Sequence, residues 1–468
     1  MLLIRGGEVV TTEGRRRADV LVDGDRISAV GEALEAPGAG VIDAGGALVI
    51  PGGIDVHTHF DLSVGAVRSA DDFESGTVAA ACGGTTCVVD FAGDGRASPD
   101  DALLEWHAKA EGRACTDYGF HLTVTSVPEG DGARELFGGF LERGVASVKL
   151  YMAYPERLMV DDDTLRRALA AGAQTGVLVC VHAEDGAEVE RLRARELEAG
   201  HVGPGALPSS RPASVEASAI RRATKFAERS GAPLYVVHLS SAAGLEEVRA
   251  ANGRGVRVFA ETCPHYLYLT EARLRSALPE DAANVVCTPP LRADEDRHAL
   301  WKGLAREDVQ VVATDHCPFT PEDRRRGIYD RETGWRDFTE IPGGLPGVET
   351  RVSLAYQGVR EGRLTVERWV DAIASAPARL FGLSHAKGSI SPGMDADLVI
   401  FDPEARRHLD ASALHSRAGH SPYEGTEVVG WPAITFSRGR LVAKDGEQVD
   451  ARGHGRFVPR VPFGWRGR

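Results

Sequence analysis

The sequence predicts an α/β fold in which a (β/α)8 barrel, or TIM barrel, carries a small β domain made from both ends of the chain. Three observations lead to this prediction. Eight short apolar runs recur through the middle of the chain, amphipathic stretches separate them, and the two ends share another texture of short strands and Gly or Asp turns. The 468 residues are enough for a large barrel with an added module.

The eight apolar runs have the character of parallel strands that are covered on both faces. They are GGIDVHTH (52–59), TTCVVDFA (85–92), YGFHLTVT (118–125), SVKLYMA (147–153), VLVCVHAE (177–184), PLYVVHLS (233–240), RVFAETCP (257–264) and VQVVATDH (309–316). Amphipathic stretches such as DDTLRRALAAGAQTG lie between them, several after an Asp, Ser or Thr that can cap a helix. This alternation predicts a barrel over residues 51–387.

The two ends predict a second, β-sandwich-like domain. Residues 1–50 contain LLIRGGEVV, ADVLVDGDRISAVG and GVIDAGGALVI, and residues 388–457 return to this texture with GMDADLVIFDP and WPAITFSRGRLVAKDGEQV. We expect these two parts to form one domain, followed by a tail at 458–468. Two unrelated β tails are the alternative.

Composition excludes several classes of protein. The net charge is -14 and no dense basic run occurs, which argues against a nucleic-acid partner. No stretch approaches the roughly 18 apolar residues of a membrane helix, and the start, MLLIRGGEVV, is too short and too polar for a signal peptide. The seven cysteines form no CxxC pair, so we expect reduced, mostly buried thiols and a cytoplasmic protein.

Titratable residues close most of the predicted strands, at the end where barrel active sites collect. Side chains alternate along a strand, so an HxH pair presents both imidazoles on one face. Each histidine alone is more often a core residue, and the aspartate alone could cap a helix. Their joint placement predicts a metal site, whose candidate ligands are His57, His59, Lys149, His182, His238 and Asp315.

Four histidines and one aspartate are too many for one catalytic ion with an open position, but they suffice for two if one more ligand bridges the ions. Lys149 is the candidate, because a neutral lysine amine beside two cations can react with CO2 and become an anionic carbamate. A lysine with a buried stem and a solvated head is the alternative. Imidazole and carboxylate suit zinc best, with manganese, cobalt or iron also possible.

Several segments resemble the dihydropyrimidinase/hydantoinase branch of the amidohydrolase superfamily. They are GGIDVHTHFD, SVKLYMAY, VHAED, VVHLSS, ETCPHYL, TPPLR, ATDHCPF and HSPYEGTEVVGWPAITFSRG, in the expected order from about residue 2 to about residue 457. The resemblance implies His57, His59 and Asp315 on one metal, His182 and His238 on the other, and carboxylated Lys149 with a hydroxide between them. It also implies a homo-oligomer, usually a tetramer, although a dimer stays open.

The resemblance also implies roles in substrate binding. Tyr154, in YMAY, corresponds to the tyrosine that donates to the oxyanion, with Pro155 where Lys is usual. Thr288 stands where Ser is usual and Gly343 where Asn is usual, and both are expected to hold the ring through main-chain groups. The loop at 319–340, with Arg324–Arg325–Arg326, looks several residues longer than in typical members.

The expected reaction is hydrolysis of a cyclic ureide or imide to an N-carbamoyl amino acid. A bridging hydroxide attacks the ring carbonyl, and Asp315 passes its proton to the leaving nitrogen. Leu62, Val64 and Tyr151 are the candidates for contact with the exocyclic substituent. His316 is expected either to orient Asp315 or to make a structural hydrogen bond. The remaining polar residues near the strand ends, His121, Glu261, Cys263 and His265, are expected to serve packing and hydrogen bonding around the rim.

Three alternatives remain. An allantoinase would use the same metals on another ureide, but TDHCPF and TPPLR favour the hydantoinase side. A non-catalytic relative should have lost ligands, yet all six positions are filled. A metal-free isomerase with Lys149 as a Schiff-base lysine leaves the four histidines unexplained.

Overall fold

The computed structural model describes residues 1–95, 97–155, 157–449 and 451–464. The strands are β1 (Leu2–Thr11), β2 (Gly14–Asp23), β3 (Arg26–Gly31), β4 (Gly40–Asp43), β5 (Leu48–Pro51), β6 (Gly53–Thr58), β7 (Ser63–Val64), β8 (Val67–Arg68), β9 (Thr85–Ala92), β10 (Asp117–Thr123), β11 (Ser147–Tyr151), β12 (Leu178–His182), β13 (Leu234–Val236), β14 (Val258–Thr262), β15 (Val311–Val312), β16 (Leu398–His408), β17 (Glu427–Ser437), β18 (Arg440–Lys444) and β19 (Glu447–Gln448).

The α-helices are α1 (Phe73–Cys82), α2 (Pro99–Ala110), α3 (Asp131–Glu142), α4 (Asp162–Thr175), α5 (Gly186–Glu198), α6 (Leu207–Ser210), α7 (Ala213–Ser230), α8 (Ala242–Gly253), α9 (Pro264–Tyr268), α10 (Pro279–Ala283), α11 (Asp294–Ala305), α12 (Pro321–Arg326), α13 (Arg351–Arg360), α14 (Val366–Val370) and α15 (Ala376–Leu380). Short 3-10 turns lie at Pro204–Ala206, Glu271–Arg275, Phe338–Glu340 and Ala411–Ala413, and a π-turn lies at Asp371–Ser375. Among the described residues, no helix combines the length and apolar character that a membrane crossing requires.

Eight parallel strands, β6 and β9 to β15, follow one another around the barrel in chain order. The eighth strand is short, and the ring closes where Thr58 bridges His316 and the His59 amide donates to the His316 carbonyl at 2.9 Å. Seven of the eight predicted runs contain one of these strands and the run 118–125 misses only the first residue of β10, so the predicted barrel is confirmed.

Alternation along the strands separates the outer layer from the barrel interior. In β12, Val179 and Val181 pack in the cluster that includes the surrounding helices, whereas Leu178 and Cys180 belong to the inner cluster. The same parity places His182 after Cys180 on the inner side. Titratable side chains at inward positions near the strand ends therefore face one shared cavity.

The helices begin and end where the sequence supplies caps. Asp161 accepts a hydrogen bond from the Thr164 amide at 2.7 Å and starts α4, and Gly176 ends that helix with φ of 83°. A residue with a Cβ is strained at such a φ, so glycine suits this position. α7 likewise ends at Gly231, with φ of 68°. These stops return the chain to the next barrel strand.

The two ends of the chain form the predicted small β domain, which is confirmed. Its nine strands hydrogen-bond as one mixed sheet in the order β19-β18-β17-β16-β5-β1-β2-β3, with β4 against β1. The two halves join where β5 and β16 pair antiparallel, with Leu398 opposite Pro51. Ile4, Val20, Val49 and Phe436 are among its buried core residues.

A buried ion cluster joins this sheet to the start of barrel strand β10. Lys387 Nζ lies 2.8 Å from Asp117, 3.0 Å from Asp395 and 2.6 Å from Asp397. Although the three carboxylates lie close enough to hold a cation, the Lys387 ammonium already pairs with all of them. The cluster is therefore a structural joint.

The segment predicted as a tail also packs on the barrel. Arg460 is 3% exposed, and its guanidinium donates to Ser147 Oγ at 2.7 Å and to the carbonyl of Phe120. This segment therefore contributes a buried side chain to the start of strands β10 and β11.

Candidate metal centre and active-site cavity

One cavity of about 560 Å³ opens at the carboxyl ends of the barrel strands. This is the face on which barrels of this type carry their chemistry. The structure brings all the sequence-predicted site residues to the wall of this cavity: His57, His59, Leu62, Val64, Lys149, Tyr151, Tyr154, His182, His238, Thr288, Asp315 and Gly343.

His57, His59 and Asp315 converge on one point of the cavity wall. Asp315 Oδ1 lies 2.9 Å from His57 Nε2 and 3.1 Å from His59 Nε2. Burial lowers the pKa of His57, but the charges of Asp315 and Glu261 outweigh burial and raise it to about 8. Burial lowers the pKa of His59 to about 4. The two imidazoles hold the pKa of Asp315 well below its usual range against burial, so this carboxyl is ionised.

Glu261 orients this first group. It is fully buried on β14, its Oε1 contacts His57 Nδ1 and accepts from the His238 amide at 3.1 Å, and its Oε2 accepts from the Tyr235 hydroxyl at 2.9 Å. A proton held on Nδ1 by a carboxylate leaves the His57 Nε2 lone pair facing the cavity. Glu261 makes the hydrogen bonds around the rim that were expected of it, and these contacts reach two of the candidate metal ligands. Its position on the seventh strand, on the same inward face as Phe259, is the sequence feature that indicates this contact.

His182 and His238 form a second pair next to the first. His182 Nδ1 lies 2.9 Å from His238 Nε2, and the rings of His57 and His238 are 5.4 Å apart. Glu184 accepts from His182 Nε2 at 2.8 Å and is itself paired with Arg211 at 2.5 Å. Burial opposes ionisation of Glu184, but Arg211 and His182 hold its pKa at about 2.

Sequence reasoning missed the roles of Glu184 and Arg211. The signal for Glu184 was its position two residues after a predicted ligand, where a carboxylate often fixes the imidazole tautomer. Arg211 is far from that strand in sequence, and only the fold brings it to Glu184.

Lys149 lies on the inner face of β11 with its ammonium over aromatic rings. Its Nζ is 4.5 Å from the ring centroid of Phe91 and 5.0 Å from that of Tyr151, and the side chain is 1% exposed. Burial lowers the pKa of Lys149 to about 8, although the charges of Asp315 and Glu261 oppose the shift. A lysine with this pKa holds a useful fraction of neutral amine near pH 7 to 8.

These residues fit divalent metal ions. The ligand atoms of His57, His59 and Asp315 lie within 4.8 Å of one another. His238 Nδ1 is buried without a hydrogen-bond partner among the described residues, and His57 Nε2 faces only Asp315 Oδ1, 2.9 Å away. Buried imidazole nitrogens without partners are costly unless something else binds to that ring or site. Imidazole and carboxylate are the donors that zinc and neighbouring divalent metals accept, so the cluster can hold such ions.

Tyr154, Thr288 and Gly343 lie together on another side of the cavity. The Tyr154 hydroxyl is 2.7 Å from Thr288 Oγ1, and a Cβ built on Gly343 would lie 3.8 Å from the same oxygen. Burial raises the pKa of Tyr154, so its hydroxyl keeps its proton and can donate. The three residues therefore offer a hydroxyl donor and two stretches of main chain to one bound molecule.

An apolar part of the cavity wall includes residues of the long loop at 319–340. Leu62 and Val64 pack with Val67, Cys317 and Phe319. The loop adds four lining residues, Ile328, Tyr329, Phe338 and Thr339. Its chain is anchored beside Gly65, since the Ala66 amide donates to the Ile328 carbonyl at 2.8 Å. The loop is thus part of the wall of the site.

His316 does not orient Asp315. Its Nε2 lies 3.0 Å from Asp71 Oδ2, and its Nδ1 accepts from the amides of Gly347 and Val348 at 3.0 and 3.3 Å. Of the two roles expected for His316, the structural hydrogen bond is the one observed.

His121 is a satisfied core histidine, as expected. Its Nδ1 lies 2.6 Å from Ser147 Oγ and its Nε2 lies 3.0 Å from the Val56 carbonyl. Cys263 is buried in the outer core cluster, and the His265 ring packs 4.2 Å from that of Tyr266.

Comparisons with known proteins agree with this geometry. The model of the amidohydrolase family matches residues 48–442. A D-hydantoinase from Streptomyces coelicolor is 42% identical over 467 residues, covering 98% of each chain. A D-hydantoinase from Geobacillus stearothermophilus is 40% identical, covering 99% of this chain and 97% of its own. The crystal structure of a dihydropyrimidinase from Brevibacillus agri superposes with a TM-score of 0.95 at 39% identity, covering 99% of both chains. The chain belongs to the hydantoinase branch of the amidohydrolase family.

Proposed function

We propose that this protein is a hydrolase that opens the ring of a cyclic amide, a hydantoin or a dihydropyrimidine, to give an N-carbamoyl amino acid. The convergence of six ligand-type side chains with Tyr154 and Thr288 on one cavity carries the proposal. The full-length likeness to proteins named D-hydantoinase and dihydropyrimidinase supports it. None of the relatives described above is named an allantoinase, so that alternative is not favoured.

We assign two divalent cations, most simply zinc, to the two histidine groups. His57, His59 and Asp315 would hold one ion, and His182 and His238 the other. Lys149, as its carbamate, would be a further anionic ligand for these ions; its burial and its pKa of about 8 support this chemistry. When bound, such cations lower the pKa of water toward neutrality and polarise a carbonyl group.

Among the side chains, Asp315 would transfer the proton and Tyr154 would stabilise the developing negative charge. Asp315 is ionised, so it can accept a proton from the attacking water and pass it to the leaving ring nitrogen. The protonated Tyr154 hydroxyl donates to the oxygen that becomes negative in the transition state, a contact worth roughly 3–4 kcal/mol for comparable donors.

The rest of the cavity positions the ring. The main chain at Thr288 and Gly343 would hold the ring amide, and Leu62, Val64 and Tyr151 would contact the exocyclic substituent. The apolar packing of Leu62 and Val64 against Phe319 supports a medium-sized or aromatic substituent.

Ring opening by one preparation of known metal content tests the proposal. The panel is dihydrouracil, hydantoin, 5-substituted hydantoins and allantoin, assayed for the wild type, Lys149→Ala and Lys302→Ala. Lys302 is an exposed lysine on α11 and controls for the loss of a lysine as such. We expect turnover of a hydantoin or dihydrouracil, two metals per chain, and a metal-poor, inactive Lys149→Ala. Turnover of allantoin alone contradicts the substrate assignment, and absence of bound metal contradicts the mechanism.

The proposal extends to assembly and location. The seven cysteines are all buried and none is in a disulfide, as is usual in a reducing compartment, so we propose a cytoplasmic protein. By likeness to its family we propose a homo-oligomer, a tetramer or a dimer, which light scattering after size exclusion would measure.

A further inference from the structure

Only the first of three consecutive arginines in the long loop is buried. Arg324 is 1% exposed. Its neighbours Arg325 and Arg326 have side chains that are 43% and 32% exposed, and they pair with Glu322 and Asp330 at the surface. α12 thus turns one arginine into the protein and leaves the next two at the surface, Arg325 exposed and Arg326 half-buried.

The partners of Arg324 are main-chain carbonyls. Its Nη1 donates to Ala283 O at 2.6 Å, to Pro342 O at 3.1 Å and to Val286 O at 3.4 Å, and its Nη2 donates to Gly344 O. It forms no ion pair with a carboxylate in the described part of the chain. Burying a guanidinium without a counter-charge is costly, and here burial lowers its pKa to about 10. What such a group supplies is a fork of donors with fixed geometry.

The carbonyls that Arg324 binds flank the residues that face the substrate. Val286 lies two residues before Thr288, and Pro342 and Gly344 lie on either side of Gly343. The two segments also touch directly, since the Gly344 amide donates to Val286 O at 3.0 Å. Arg324 therefore ties together the two stretches of main chain that offer hydrogen bonds to the ring.

We propose that Arg324 is a positioning residue for the cyclic substrate, acting through the main chain around Thr288 and Gly343. The role rests on the proposed function, because it presupposes that a ring amide binds there. It also couples the long loop to the ring site, since Arg324 belongs to the helix that begins this loop. Loss of the fork should loosen both segments and weaken ring binding, while the metal ligands on the barrel strands stay in place.

Kinetics of Arg324→Met and Arg324→Lys, with Arg325→Met as the matched control, test this role. The readouts are KM, kcat per bound metal, metal content and hydrogen exchange of peptides covering 283–288 and 342–344. A small misplacement of binding groups costs one to two orders of magnitude, so we expect KM to rise about tenfold or more in Arg324→Met. We expect kcat per metal to change by less than about threefold, an intermediate KM in Arg324→Lys, and no change in Arg325→Met.

Two results would overturn the role. One is an unchanged KM with unchanged exchange of both segments in Arg324→Met and Arg324→Lys. The other is a loss of activity that follows loss of metal at constant KM. If Arg324→Met does not fold, Arg324→Lys decides by the same readouts. A wild-type protein that opens no ring in the panel overturns the proposed function itself, whereas an active wild type with unaffected variants overturns only the role of Arg324.

Discussion

Replacing Glu261 by glutamine should weaken metal binding without disturbing the fold. The carboxylate contacts His57 Nδ1 and accepts from the His238 amide and the Tyr235 hydroxyl, so it touches two of the proposed ligands. The isosteric amide keeps one acceptor oxygen but loses the negative charge that raises the pKa, and hence the basicity, of His57. Removal of such an outer partner costs 10- to 100-fold in metal affinity or activity, or about 1.4–2.7 kcal/mol.

Tyr235→Phe is the matched control, because it removes one hydrogen bond of Glu261 and leaves its charge and both histidine contacts. Metal retained after dialysis against graded chelator, with ring opening on the same samples, measures the effect. We expect the order wild type, Tyr235→Phe, Glu261→Gln for falling metal affinity. Wild-type affinity and turnover in Glu261→Gln would show that the orientation of His57 does not depend on this carboxylate.

Three further predictions follow from buried charges. Arg211→Met should lower kcat per folded, metal-loaded chain about tenfold, because Glu184 loses one of the two partners, Arg211 and His182, that hold it ionised against burial; unchanged kinetics would contradict this. Lys387→Met should lower the free energy of unfolding by roughly 3–5 kcal/mol in urea titrations, whereas exposed Lys302→Met should change it by under about 0.5 kcal/mol. Hydrogen bonds from His316, Ser416 and Arg417 outweigh burial and hold the pKa of Asp71 at about 2. Its stabilisation, roughly 2 kcal/mol, is present above pH 4 and lost as pH falls toward 2, so the difference in unfolding midpoint between wild type and Asp71→Asn should shrink over that range in metal-free protein.

The barrel and the ligand set could be predicted because both depend on short-range pattern. Parallel strands covered on both faces require apolar runs, and period two places alternate residues inside, so Lys149 and His182 were readable from their positions. The partners of those ligands were harder to find. Glu261 lies on a different strand from His57, and Arg211, just before α7, is distant from Glu184 along the sequence although the two side chains are in contact. Contacts of this kind depend on the closure of the barrel.

The long loop shows a second limit of sequence reasoning. Its three arginines are alike in sequence, yet Arg324 is buried against four carbonyls while Arg325 pairs with Glu322 in solvent. Nothing in the local pattern distinguishes them, since the difference arises from which turn of a six-residue helix meets the segments at Val286 and Pro342. The positions of side chains in such loops depend on tertiary contacts, and loops of this kind often carry binding residues.

The backbone at the site explains why neither propensity nor pattern describes its geometry. Tyr154, His238 and Asp315 have φ of 67°, 38° and 51°, in a region that residues with a Cβ rarely adopt. Each such residue costs on the order of 1–3 kcal/mol, and it persists only where the surrounding structure holds it. Here these conformations are held by the ends of β11, β13 and β15 and by hydrogen bonds across the closed barrel, such as that from the His59 amide to the His316 carbonyl. The packing of the apolar barrel therefore offsets the free-energy cost of these three unfavourable backbone conformations. They direct the Tyr154 hydroxyl, the His238 imidazole and the Asp315 carboxylate into one cavity.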